Sequence, residues 1–242
     1  MFSEENYNHY VNADLETWLL EVKTPPRILG RIAHGIQDKI NSWIPEKIHQ
    51  AIAVAVENMV KAVLFGSEWI KPSPDKSMIL YHREEKIRNR IKWYRNAASA
   101  EGGLTGAGGI LLGLADFPAF LTLKMKMLFD IAAWYGFDTK SYQERLFLLF
   151  VFQLSFSNQH RRNDLIGLIE NWEMYVYDLP ADLDQFDWKT FQLDYRDYMD
   201  LAKLAQLIPI IGAPVGAIAN YKLTAHLGRF AMNCYRLRVL KK

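Results

Sequence analysis

Two carboxylates, Glu101 and Asp116, and one amide, Asn220, are the candidates in this chain for acid–base chemistry. Glu101 opens the run Glu-Gly-Gly-Leu-Thr-Gly at 101–106, and Asp116 closes the same apolar stretch ahead of Phe117-Pro118. A straight helix between them would hold the two carboxyls roughly 20 Å apart. Carboxylates that act on one bond lie within about 10 Å of each other. The pair therefore does not form a two-carboxylate site. Asp116 fits better as a helix cap, with proline in the first turn after it. A hydrolytic centre would have to combine Glu101 with Asn220 and a distant third residue.

Other chemistries have less support. His9, His34, His49, His82, His160 and His226 are scattered, with no i, i+4 pair and no His-Glu-x-x-His motif. No metal site and no cofactor is expected from them. His82, beside Glu84 and Glu85, reads as part of a solvated helix start. Cys234 is the only cysteine, so no internal disulfide can form. It stands between Asn233 and Tyr235 with no activating neighbour in sequence, and reads as a packed thiol. The glycine run lacks the Gly-Lys-Ser/Thr ending of a phosphate loop, and a charged helix rather than a strand precedes it.

The glycines then need a physical reason. Gly102, Gly106, Gly109 and Gly113 fall on one helical face, with Gly103 beside them. Each glycine inside a helix costs roughly 0.5–1 kcal/mol relative to alanine. Gly212 and Gly216 repeat the four-residue spacing in a second small-residue segment, Ile208 to Asn220. Bare backbone at these positions is expected to admit a neighbouring helix or an apolar chain.

The elements that would carry these residues are helical. Strand patterns are weak, while 3.6-residue periodicity recurs. The expected helices are 4–22, 26–44, 45–66, 84–96 leading into the glycine segment, one starting at Asp116-Phe-Pro118 and ending near Gly136, a buried one over 142–156, one over 188–207, and a basic one over 223–240. Pro25-Pro26, Pro72, Pro74 and Pro180 mark breaks between them. The expected fold is all-α, a compact multi-helix bundle in one domain over 1–242 with glycine-rich helices packed in its core.

Charge narrows the partners. The net charge of +2 gives no reason to expect nucleic acid. Its distribution is uneven: Asp164 to Asp200 holds ten acids against Lys189 and Arg196, while Leu201 to Lys242 holds seven Lys or Arg and no acid. Lys222, Arg229, Arg236, Arg238, Lys241 and Lys242 are the candidate membrane-surface cations. The helix over 26–44 is amphipathic with a partly basic face. Packing of acidic against basic helices explains the same asymmetry equally well. No uninterrupted apolar run reaches the about 18–20 residues of a membrane span, and the first residues lack the pattern of a signal peptide. The expected location is cytoplasmic, at the inner membrane face.

The ordered set Glu101-Gly-Gly-Leu-Thr-Gly, Asp116-Phe-Pro, Ile131-Ala-Ala-Trp-Tyr-Gly-Phe-Asp138, Ile208-Pro-Ile-Ile-Gly-Ala-Pro-Val-Gly-Ala-Ile-Ala-Asn-Tyr221, Gly228-Arg-Phe-Ala231 and Tyr235-Arg236 resembles the EcsC family. Order and spacing agree over 86–240, and the first 80 residues match less clearly. The family takes its name from a protein encoded beside an ABC transporter. The resemblance therefore implies a link to membrane transport, and it brings no defined catalytic residues. Three readings follow: peripheral membrane or lipid association without catalysis, an accessory protein that contacts an ABC-transporter component or another protein, and a hydrolase using Glu101.

Overall fold

The apolar segment near the middle of the chain organises the rest. In a computed structural model the described residues are 4–24, 46–66, 78–106, 116–157, 159–187, 189, 191, 195 and 213–240, with the backbone alone for 46–49, 101–106, 159–160 and 213–216. They form eight α-helices and no strand: α1 (Glu4–Lys23), α2 (Glu46–Phe65), α3 (Leu80–Gly106), α4 (Phe117–Trp134), α5 (Tyr142–Phe156), α6 (Gln159–Glu170), α7 (Trp172–Tyr177) and α8 (Ala213–Leu240), with a 3-10 turn at Leu183–Gln185. All but one residue of α5 are buried. A helix apolar on every side needs neighbours on every side. Here α2, α4, α6 and α8 supply them. Buried side chains from all eight helices join one apolar cluster. The fold is all-α, as expected.

Local signals place several boundaries. Gly136 alone among the described residues has positive φ, at 89°. Its N–H donates to Ala133 O at 2.8 Å and that of Phe137 donates to Ala132 O at 3.1 Å. This pair of bonds closes α4 in the left-handed turn that favours glycine. At the other end of α4, Asp116 occupies the cap position, with proline in the first turn. Its carbonyl accepts from Phe120 N–H at 3.0 Å. Its side chain makes no capping hydrogen bond, so the expected side-chain cap is absent.

Two helices run past their expected bounds. The charged segment and the start of the glycine run are one helix, α3, and Glu101 lies late in it rather than at a helix start. The second small-residue segment and the basic segment are likewise continuous in α8 from Ala213, with Pro214 tolerated in the first turn. The expected helix over 26–44 lies outside the described residues, as do Gly109, Gly113, Gly212, Lys241 and Lys242.

Helices α3 and α8 form the most extensive helix pair. They run antiparallel: Arg95 meets Tyr221, Ile91 meets Gly228 and Glu84 meets Arg236. Gly102, Gly103 and Gly106 on α3 and Gly216 on α8 therefore sit at the same end of the pair. The close approach that the side chains document is at Gly228, where an added Cβ would stand 2.8 Å from Ile91 Cγ2. Gly167, in α6, has nothing within 4 Å of the same position.

These two glycines should respond oppositely to substitution. Gly228→Leu forces bulk into the α3–α8 contact and should cost at least about 1–3 kcal/mol. Gly167→Ala should add about 0.5–1 kcal/mol through helix propensity. Thermal melts of the two variants beside wild type check the pair.

Candidate functional site

Helices α1, α3 and α8 each have a buried stripe with a charged flank beside it. On α3 the buried stripe is Glu84, Ile87, Ile91, Tyr94 and Ala98. Arg88, Lys92 and Arg95 follow the same periodicity one position along. On α1, Tyr7, Val11, Leu15, Trp18 and Val22 are buried. Tyr10 and Asp14 flank them. On α8, Ala225, Arg229, Met232, Asn233 and Arg236 share a face. The three flanks meet at an open cleft of about 490 Å³, whose charged lining is Arg88, Lys92, Arg95, Arg229, Arg236 and Asp14.

A carboxylate with no exposed surface lies under this cleft. Glu84 takes Arg236 Nε at 2.8 Å and Nη2 at 2.6 Å, and accepts from Tyr7 Oη at 2.7 Å and Tyr135 Oη at 2.9 Å. Arg236 also donates from Nη1 to Asp14 Oδ2 at 2.6 Å and to Asn233 Oδ1 at 3.0 Å. Arg88 Nη1 reaches Tyr7 Oη at 3.1 Å and Glu84 at 3.2 Å. Burial pushes the Glu84 carboxyl up, but the bonds and charge of Arg236, with Tyr7 and Tyr135, outweigh it and hold the group below its usual range. Burial and then the Glu84 charge push Tyr135 well above the ordinary phenol range. Glu84 and Arg236 thus form a buried, two-point hydrogen-bonded ion pair.

A second buried pair ties the C-terminal turn of α8 to α5. Arg238 donates to Glu144 at 2.8 Å and lies 3.9 Å and 4.4 Å from the ring centres of Phe137 and Phe147. Tyr235 Oη donates to Glu144 at 2.5 Å. Burial raises the Glu144 carboxyl, and Arg238 and Tyr235 recover only part of that shift. On α5, Arg145 Nη1 donates to Leu64 O at 2.8 Å, so its cation closes the last turn of α2.

The expected site residues separate into groups. Asp116 is half-buried, Asn220 is buried on α8, and no hydrogen bond joins them. Of Glu101 and of Gly102, Gly103, Gly106 and Gly216 only the backbone is described. Among the expected surface cations, Lys222 is exposed. Arg229 sits at the cleft, 2.6 Å from Glu21. Arg236 and Arg238 are corrections: both are buried in ion pairs, with only 6% and 9% of their side chains exposed. They neutralise acids inside the fold and do not present charge to a surface. Cys234 is fully buried, and burial pushes its thiol far above the ordinary range. Arg88, Lys92 and Arg95 were missed, because their segment reads simply as a solvated charged helix. Glu84 carried a signal: it falls on the same stripe as Ile87 and Ile91.

The sequence model of the EcsC protein family matches residues 10–240. The chain is 45% identical over 226 residues to Protein EcsC of Bacillus subtilis (strain 168), covering 93% of each. The chain belongs to the EcsC family. The family match begins at residue 10, so it takes in the N-terminal helices that the motifs matched less clearly. Uncharacterized protein YdbA of the same organism is 33% identical over 229 residues, covering 91% of this chain and 81% of that one. No solved structure matches.

The Glu84–Arg236 pair makes a testable demand on this EcsC-family fold. Glu84→Ala leaves Arg236 buried with only Asp14 and Asn233, and should cost about 3–5 kcal/mol. The pH dependence follows from the sign of the shift. Glu84 titrates below its usual 4.5, so its stabilisation is complete above that pH and is lost as pH falls through its folded value. Glu144 has the opposite sign: its contribution is complete below 4.5 and is lost as pH rises through its raised value. Urea melts of wild type and Glu84→Gln across the acid range separate the two. The stability difference between them should shrink as pH drops below about 4.5.

Proposed function

We propose that this EcsC-family protein works without a chemical step of its own, held at the inner face of a membrane by anionic lipid. The observation that carries the reading is the convergence of Arg88, Lys92, Arg95 and Arg229 on one open cleft, with the buried Arg236 ion pair at its base. Its surroundings favour a lipid surface. Tyr10, Trp93, Ile218 and Tyr221 are large, exposed apolar or amphipathic side chains on the same three helices. Tyr10 lines the cleft, Trp93 stands one turn from Asn89, and Ile218 and Tyr221 precede Ala225 on α8. Tyrosine and tryptophan suit a boundary that is apolar on one side and wet on the other. Lys222 extends the positive face by a turn. Among the described residues no helix is long and apolar enough to cross a membrane, so attachment would be from one side.

Purified protein should co-sediment at low salt with vesicles of phosphatidylcholine and phosphatidylglycerol, and should leave them as salt rises. Lys222→Glu and Trp93→Ala should each weaken binding, the first by at least the about 1 kcal/mol assigned to a basic residue near an anionic leaflet. Binding equal to that on pure phosphatidylcholine would end the proposal.

A further inference from the structure

We infer that the cleft between α1, α3 and α8 receives one phosphate monoester group, on a lipid headgroup or on a small phosphorylated molecule. The inference deepens the membrane reading by naming the group recognised, and the two can fail separately.

Five cations line the cleft: Arg88, Lys92, Arg95, Arg229 and Arg236. Three carboxylates oppose them: Asp14 in the lining, Glu84 beneath it and Glu21 paired with Arg229. Two positive charges are left over, the complement of a monoester dianion rather than of a singly charged diester. Arg236 is consumed, since its guanidinium serves Glu84, Asp14 and Asn233. It contributes charge without a spare donor.

The other groups retain donors. Lys92 is exposed and has no ion-pair partner among the described residues. Arg95 is held by Tyr221: its guanidinium lies 4.4 Å from the ring centre and Nη2 donates to the hydroxyl at 2.5 Å. That contact fixes the fork, while the buried Nε meets no acceptor. Arg88 commits Nη1 alone to Tyr7 and Glu84. Arg229 and Glu21 are both more than half exposed, so their pair is screened and easily exchanged for a doubly charged ligand. Asn233 is 1% exposed yet lines the cleft. Its Oδ1 is turned to Arg236 Nη1, which leaves the amide nitrogen as the donor for a ligand. A phosphate with three terminal oxygens can use donors from α3 and α8 together, and charge-assisted bonds of this kind are the strong ones. Asp14 argues against any ligand seated directly on the α1 wall, so the anion belongs on the α3–α8 side.

The test uses full-length protein, vesicles and inorganic phosphate. Phosphatidylcholine vesicles carrying phosphatidic acid, a monoester, are compared with vesicles carrying phosphatidylglycerol, a diester, at matched surface potential. Phosphatidic acid should bind about tenfold more tightly, and inorganic phosphate should compete. The preference should fade as pH falls through about 6, where a phosphate monoester dianion takes up a proton and becomes a monoanion. Asn233→Asp, which keeps the Arg236 bond and puts a carboxylate in place of the donor, should abolish the preference. Lys92→Glu, on the exposed flank, should do the same and decides the matter if Asn233→Asp does not fold. Equal binding to both vesicles would overturn the monoester assignment and leave the membrane reading standing. A melting temperature raised by phosphate in wild type but not in Lys92→Glu, without vesicle binding, would keep the site and end the membrane reading. No response in either arm would end both.

Discussion

The architecture depends on one interaction, the pairing of Glu84 with Arg236 between α3 and α8. Both are buried, and each would be expensive alone in a low-dielectric interior. Tyr7 brings α1 to the same carboxylate and Tyr135 brings the end of α4. Asp14 on α1 holds the far side of Arg236. Four helices thus meet at a single charge pair, and their angles are set by hydrogen-bond geometry as well as by apolar packing. Apolar contact is tolerant of small slides, whereas a two-bond arginine–carboxylate contact is directional. The Gly228–Ile91 contact, between that pair and the Arg95–Tyr221 contact, lets the two helices approach closely enough for both.

The cleft follows from the same constraint. Once Arg236 is drawn inward to Glu84, the flanks of α1, α3 and α8 are left facing a common space. The cations there come from two distant parts of the chain, α3 and α8, and α1 adds Asp14. Arg236, a cation of the acid-free run, is therefore an internal charge. Arg238 with Glu144 and Glu173, and Lys23 with Glu170, spend further cations and acids inside or across the fold.

Much of the fold was legible in the sequence because local rules govern it. Periodicity located α1, the apolar run located the almost wholly buried α5, and Gly136 and Pro118 marked the limits of α4. What was not legible is non-local. Nothing near Glu84 names Arg236 as its partner, although its place on the stripe of Ile87 and Ile91 shows that it must have one. Arg236 and Arg238 looked like surface cations because a run without acids reads as basic, and acids on other helices are invisible to such a count. The shorter bounds expected for α3, ending near 96, and for α8, starting near 223, came from a change in composition. A helix does not break where its character changes from charged to small, only where a backbone bond is lost or a turn is imposed. The glycine segments remain a matter of position: their described parts share one end of the α3–α8 pair.

The span between the partners also bears on how the chain is made. Glu84 and Arg236 are 152 residues apart, and Asp14 and Arg236 are 222 apart. During synthesis the acids emerge long before the arginine that neutralises them. Until α8 leaves the ribosome, Glu84 has only the half-exposed Arg88 of its own helix as counter-charge, and the two-bond contact that joins α3 to α8 is missing. Such long-range closure is slow compared with local helix formation. The last helix therefore acts as a keystone, and a chain that stops short of it would leave a hydrated acid where the finished molecule has its centre.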